Sequence, residues 1–239
     1  MNLLLLTPHD LLDSGRARIH DSRRLRHLVD VHRAAPGDEL TVGMENGGIG
    51  RARLVRLDGE HAEFHLGPLD ETPPPPLPLH LILALPRPRM LARTLENIAA
   101  LGVKRLTLLH TARVEKSYWQ SPELADERID AHLRLGLEQA RDTRLPVIQQ
   151  RRRFRPFVED ELPALLEGHR ALVAHPGGER ECPRGLDMAT LLTLAIGPEG
   201  GFVDYEIAQL RQAGFEQVHL GPRILRVETA VVALLARLY

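Results

Sequence analysis

Three segments rich in glycine and proline hold the residues with the most chemistry in them: Leu172-Val173-Ala174-His175-Pro176-Gly177-Gly178, Ile196-Gly197-Pro198-Glu199-Gly200-Gly201-Phe202 and Leu220-Gly221-Pro222-Arg223-Ile224-Leu225-Arg226-Val227-Glu228-Thr229-Ala230. Each starts at the end of a short run that reads as a buried strand. Ligands of open α/β sheets bind beyond the carboxyl ends of strands, so three such loops describe one candidate binding edge. Glycine lets backbone groups approach a ligand closely, and proline fixes the turn. The second segment invites comparison with a phosphate cradle at a helix N-terminus. It has neither the lysine and hydroxyl of a P-loop nor the dinucleotide-binding spacing, and Glu199 would repel a phosphate. His175 reads as a hydrogen-bonding structural residue rather than a base. The twelve histidines and one cysteine show no metal-ligand spacing, and no serine falls in a nucleophile elbow.

The elements that must carry these loops follow from apolar periodicity and turn residues. Before residue 70, Glu39 to Gly43, Arg51 to Leu57 and His61 to Leu66 are strand candidates separated by Asn46-Gly47-Gly48 and Asp58-Gly59, with one helix near Ser22 to His32. This pattern predicts a small β-barrel over 1–70. Thr72-Pro73-Pro74-Pro75-Pro76-Leu77-Pro78 predicts an extended linker over 71–78. From 79 to 239 strands and helices alternate. Strands are expected at Leu79 to Leu85, Val103 to Leu109, Ala171 to Ala174, Leu191 to Ile196 and Gln217 to Leu220. Helices are expected at Pro88 to Leu101, from Ser121-Pro122 to about Arg141, at Asp204 to Ala213 and at Glu228 to Leu238. Alternation of this kind predicts a parallel sheet covered on both faces, an α/β domain.

Composition sets the outer limits. At 239 residues, 43% hydrophobic and 26% charged, the chain can bury a core and is neither disordered nor fibrous. Its longest apolar runs, Leu3 to Leu6 and Leu79 to Leu85, fall far short of the roughly 20 residues of a membrane span. The start of the chain lacks the pattern of a secretory signal, and the lone Cys182 suits a reducing compartment, so a cytoplasmic protein without membrane or metal partners is expected. A net charge of −1 hides a basic middle: residues 71–155 carry 15 basic and 9 acidic side chains. All basic residues but Lys104 and Lys116 are arginine, and Arg141, Arg144, Arg151, Arg152, Arg153 and Arg155 cluster. Such a cluster is either a solvated face or an electrostatic footprint for nucleic acid.

The second and third loops, at this order and spacing and with Glu206 beyond the second, resemble the signature of the knotted SPOUT-type RNA methyltransferases, most closely the 16S ribosomal RNA uracil-N3-methyltransferase family. Arg26-His27-Leu28 with Arg33 and Gly37-Asp38, Leu101-Gly102-Val103, and Glu138-Gln139 with Pro146 extend the resemblance over the whole chain. It implies a PUA-like RNA-binding barrel followed by a methyltransferase domain with a C-terminal trefoil knot. It also implies S-adenosylmethionine as cofactor, a homodimer, and 16S rRNA of the small ribosomal subunit as substrate. Carried over by position, Leu172, His175, Ile196, Gly197, Gly200, Gly201, Leu220, Gly221, Leu225 and Thr229 surround the cofactor, and Arg33, Arg141 and Arg144 meet RNA. Asn2, Asn97, Ala100 and Asp142 depart from the family pattern. They keep two alternatives open: methylation of a different base, or an RNA-binding or assembly factor without activity.

The implied chemistry is an in-line displacement, in which alignment of donor and acceptor supplies most of the acceleration. Uracil N3 is a weakly acidic imide that must lose its proton. A base, or a cation beside O2 or O4, is therefore required. Arg226 is the first candidate for that cation, and Glu199 either acts as a base or orients its loop. The target base must be unstacked to enter, which favours a single-stranded or flexible RNA region.

Overall fold

Residues 2–13, 15–178 and 180–239 are described by the computed structural model of the protein. The chain divides into two compact units, Met1–Pro75 with Arg134–Leu145, and Pro76–Leu133 with Pro146–Tyr239.

The first unit is built on six strands: β1 (Leu4–Leu6), β2 (Leu11–Asp13), β3 (Arg16–Ile19), β4 (Glu39–Met44), β5 (Ile49–Leu57) and β6 (Ala62–Leu66). They form one mixed sheet in the order β1-β4-β5-β6-β3-β2, with β1 parallel to β4 and the other pairs antiparallel. The run Leu3 to Leu6 is almost wholly buried. One core joins Leu4 and Leu6 to Ile19, Leu28, Leu54 and Phe64, so the sheet wraps a common interior. Helix α1 (Ser22–Arg26) starts at Asp21, whose carboxylate accepts from the Arg24 amide at 2.7 Å, and continues into a wider helical turn over His27–Val31.

Residues 134–145 complete this unit. Glu138 is buried and accepts from Arg23 at 3.1 Å; burial pushes its carboxyl up against the opposing pull of Arg23. Asn2 donates from Nδ2 to the Gln139 carbonyl at 2.7 Å, and the buried Asp142 accepts from the Arg144 amide at 2.9 Å. Two of the departures from the family pattern are therefore local structural partners.

The second unit contains seven parallel strands: β7 (Leu79–Ala84), β8 (Arg105–Leu109), β9 (Val147–Arg151), β10 (Arg170–Ala174), β11 (Arg180–Glu181), β12 (Leu192–Ile196) and β13 (Glu216–His219). Their order is β11-β13-β10-β12-β7-β8-β9. The intervening helices are α2 (Pro88–Ala100), α3 (Asp126–Ala140), which counts with this unit only up to Leu133, the short turns α4 (Phe154–Pro156) and α5 (Leu162–Leu165), α6 (Asp204–Gln212) and α7 (Val227–Leu238). Every residue of β7 and β12 is buried, as strands in the middle of a covered parallel sheet must be. Phe154, Phe157, Leu162, Ile207, Leu210 and Phe215 cover one face over Ile82, Val173 and Ala195. On the other side, α2 packs against α7, and α7 against β12.

The expected long helix from Ser121 divides. A single 3-10 turn, Pro122–Leu124, is capped by the Ser121 hydroxyl, and α3 begins only at Asp126. It stops at Ala140 because Arg141 turns to φ +55°. Glu71 forms a bridge with Ile49 in the first unit, and the Leu77 amide donates to the Gly102 carbonyl at 3.0 Å in the second.

Candidate active site

The three glycine-rich loops leave the carboxyl ends of β10, β12 and β13, and β10 lies between the other two in the sheet. Strand order therefore brings together loops that are separated by up to about 50 residues of chain. They enclose a cavity of about 670 Å³ counting its open mouth.

The first loop is fixed by the His175 amide, which donates to the Val218 carbonyl at 2.9 Å, and by the Gly178 amide on the His175 carbonyl at 2.9 Å. His175 lines the cavity, and its Nδ1 is buried without a partner. A buried ring nitrogen left open in this way has capacity for a ligand hydrogen bond.

The second loop turns at Gly201, whose amide donates to the Pro198 carbonyl at 2.7 Å. Gly201 sits at φ +74°, and a side chain there would meet nothing nearer than Arg113 Nη1 at 4.0 Å. The crowded position is Gly197, where a Cβ would stand 3.0 Å from the Phe202 amide and 3.1 Å from its ring. Close approach thus explains Gly197, and backbone conformation explains Gly201. Buried Glu206, at the start of α6, accepts from the Val203 amide at 3.0 Å and the Ala112 amide at 2.6 Å. It pins the second loop to the segment after β8. Glu199 accepts from the Arg87 amide at 3.1 Å at the start of α2, with Arg87 Nε at 3.9 Å. This carboxylate is an anchor for the loop.

The third loop turns at Gly221 and presents Arg223, Ile224 and Leu225 to the cavity, which α7 closes with Val227, Ala230 and Leu234. Ile224 is 82% exposed, an uncovered apolar side chain at the mouth. Arg226 lies between two lining residues, is exposed, and makes no hydrogen bond or ion pair with a described side chain. No Arg226 pairing with Glu228 forms among the described residues.

Of the residues singled out in the sequence, His175, Ile196, Gly197, Glu199, Gly201, Leu220, Gly221 and Leu225 line this one cavity. Leu172 is fully buried inside β10, Thr229 is exposed on α7, and Gly200 faces Arg113, whose guanidinium donates to the Gly200 carbonyl. Arg33, Arg141 and Arg144 belong to the first unit, and Arg141 lies 3.7 Å from Glu71. Sequence reasoning missed Val218 and His219 at the end of β13, and it did not assign to the cofactor the α7 positions 227 and 230, which its third segment contained, or 234. The spacing of the latter, three then four residues, is the signal that would have found them. Among the described residues no group of three metal-ligating side chains occurs, and no helix is long and apolar enough to cross a membrane.

A family model described as an RNA methyltransferase domain matches residues 73–239. The ribosomal RNA small subunit methyltransferase E of Synechocystis sp. is 31% identical over 221 residues, covering 90% of this chain and 70% of the relative. That of Treponema pallidum is 29% identical over 238 residues, covering 98% and 88%. A crystal structure of the Neisseria gonorrhoeae ribosomal RNA small subunit methyltransferase E bound to S-adenosyl methionine matches with a TM-score of 0.75 at 24% identity, covering 99% of this chain and 95% of that one. At that identity the likeness is one of fold.

Proposed function

We propose the activity of this chain from the family to which it belongs, the ribosomal RNA small subunit methyltransferase E family of RNA methyltransferases: it methylates N3 of a uridine in 16S rRNA, with S-adenosylmethionine as donor. The observation that carries this reading is the single cavity formed by all three loops beyond adjacent parallel strands.

The residues present fit the cofactor. The cavity combines apolar walls from Ile196, Leu220, Leu225 and Leu234 with glycine backbone at Gly197 and Gly201 and the unpartnered Nδ1 of His175. Bound S-adenosylmethionine would supply an electrophilic methyl group. The chain's own contribution is alignment: the second loop, pinned by Glu199 and Glu206, fixes one wall, and Val227, Ala230 and Leu234 fix another. Arg226 stabilises the uracil anion by donating to a carbonyl oxygen of the base, a role that its unpaired guanidinium leaves it free to take. The anchoring of Glu199 on Arg87 supports a positioning role over a proton-accepting one.

The family reading extends to a PUA-like RNA-binding domain over about residues 1–70, with Arg33, Arg141 and Arg144 as RNA contacts. It extends also to a trefoil knot in the C-terminal part of the second unit, and to a homodimer in the cytoplasm. The exposed apolar side chains Ile224 and Leu225 on the third loop and Val232 on α7 support the dimer, since a second copy would cover them. Light scattering should give a dimer at micromolar concentration; a stable monomer removes that part. Calorimetry with S-adenosylmethionine, followed by transfer of a labelled methyl group to small-subunit RNA, tests the activity. Cofactor binding without transfer would favour the non-catalytic alternative.

A further inference from the structure

The other half of the same sheet edge is basic. Beyond the carboxyl ends of β7, β8 and β9 stand Arg89, Lys116, Arg152 and Arg153, all solvent-accessible. The acids along this edge are already engaged: Glu199 with Arg87, Glu206 with two backbone amides, Glu115 with the Tyr118 hydroxyl at 3.0 Å, Glu161 with Arg151 at 2.7 Å and Glu159 with Arg155 at 2.7 Å. The four cations have no carboxylate partner among the described residues. Of the arginine cluster in the sequence, structure thus withdraws Arg151 and Arg155 into ion pairs and leaves Arg152 and Arg153 available.

Two further features make this edge a constructed surface. Arg152 is held over the Trp119 ring, 5.4 Å from its centroid, so its planar cation is placed rather than loose. Trp119 is itself 8% exposed and donates from Nε1 to His110 Nδ1 at 2.9 Å; burial and Lys116 keep the His110 imidazole below its ordinary value, in the neutral form that accepts this bond. The segment carrying His110 and Lys116 is also tied to the cavity's second loop twice, through Arg113 on the Gly200 carbonyl and through the Ala112 amide on Glu206. From β12, which carries the second loop, to β9 is three strand spacings, roughly 14 Å.

We propose that this edge is a track for a single RNA strand, in which Lys116, Arg152, Arg153 and Arg89 contact phosphates of the nucleotides flanking the one whose base enters the cavity. The proposal rests on the methyltransferase reading and adds to it the surface that registers the strand. Four cations without an ion-pair partner among the described residues, one of them stacked on an indole, match a chain of phosphates with unstacked bases better than they match a protein partner.

The test compares the wild type with Lys116→Ala/Arg152→Ala/Arg153→Ala, with Arg152→Lys, and with Arg211→Ala. Arg211, in the last turn of α6, lies toward the opposite edge of the sheet because the helix runs back along the strands. Binding of a short oligouridylate is measured against salt concentration, and methyl transfer against the concentration of small subunits isolated from a strain lacking this protein. The triple variant is expected to raise KM for subunits at least tenfold and to flatten the salt slope by about 2, the loss of three single-strand phosphate contacts. Its kcat and cofactor affinity should stay unchanged. Arg152→Lys keeps the charge and therefore the wild-type slope, and Arg211→Ala keeps the wild-type slope and KM. A triple variant with wild-type slope and KM, in an enzyme that does methylate, overturns the track and leaves the activity standing. A wild type that neither binds RNA nor methylates overturns both.

Discussion

Gly201 offers the most direct probe of the cavity, because its substitution costs backbone energy and almost nothing in crowding. At φ +74° any residue with a Cβ is held in the left-handed region at a cost of about 1–2 kcal/mol, while the nearest atom to that Cβ is Arg113 Nη1 at 4.0 Å. Relief of the strain requires Gly201 to leave this conformation, which breaks the 2.7 Å bond from its amide to the Pro198 carbonyl and moves the second loop. Cofactor binding must then restore the turn, and since each 1.4 kcal/mol is a factor of ten, Gly201→Ala should weaken S-adenosylmethionine binding about 5- to 30-fold. Gly201→Val should weaken it further, because a β-branched side chain tolerates positive φ least. Gly168 is the matched control. It sits at φ +73° with nothing within 4 Å of a Cβ and lies outside the cavity, so Gly168→Ala should lower stability by a similar amount and leave affinity untouched. Calorimetry and thermal melts on the same preparations give both numbers. Wild-type affinity in Gly201→Ala, beside a destabilised Gly168→Ala, would remove the second loop from the binding site.

Three more predictions follow from other parts of the second unit. Arg226→Ala should lower single-turnover methyl transfer by about two to three decades with little change in cofactor affinity; normal turnover per folded molecule would reassign Arg226 to structure. Glu206→Gln keeps one acceptor for two amides bonded at 2.6 and 3.0 Å, and should cost about 1–3 kcal/mol in denaturant unfolding, with full stability contradicting the pin. Buried His80, whose Nε2 contacts Thr107 Oγ1 at 2.9 Å while Nδ1 has no partner, is pushed by burial, and then by Arg105, from its ordinary value near 6.5 down to about 4. The unfolded chain binds more protons between these values, so stability is complete above pH 6.5 and falls by about 3 kcal/mol as pH drops to 4. His80→Gln should flatten that dependence in urea titrations, and an unaltered slope would place the acid sensitivity elsewhere.

What the sequence made legible was governed by burial and by turn chemistry. β7 and β12 stand out as continuous apolar runs because both their faces are covered, and the three loops stand out because glycine and proline mark them. β3, Arg-Ala-Arg-Ile, is only four residues long, and β9, Val-Ile-Gln-Gln-Arg, is a partly exposed edge strand, so neither forms a continuous apolar run. The run Leu3 to Leu6 is apolar without periodicity, so its parallel pairing with β4 is a tertiary fact. Pro156 and Pro163 interrupt the helical stretch over 154–165 and hide it. At the site, individual residues were readable wherever they lay in the loops, whereas Arg113 and Glu206 act through contacts 87 and 94 residues away in the chain. No local pattern encodes such partners. The division of the arginine cluster into paired and available members likewise depends on where Glu159 and Glu161 fall once Phe154 to Leu165 coils back.

The central claim is tested most directly by nucleoside mass spectrometry of small-subunit RNA from a strain lacking this protein, before and after incubation with the purified protein and S-adenosylmethionine carrying a labelled methyl group. The account predicts that N3-methyluridine is absent beforehand and appears with the label at one position. Label on another base, or N3-methyluridine already present at that position without the protein, would contradict it.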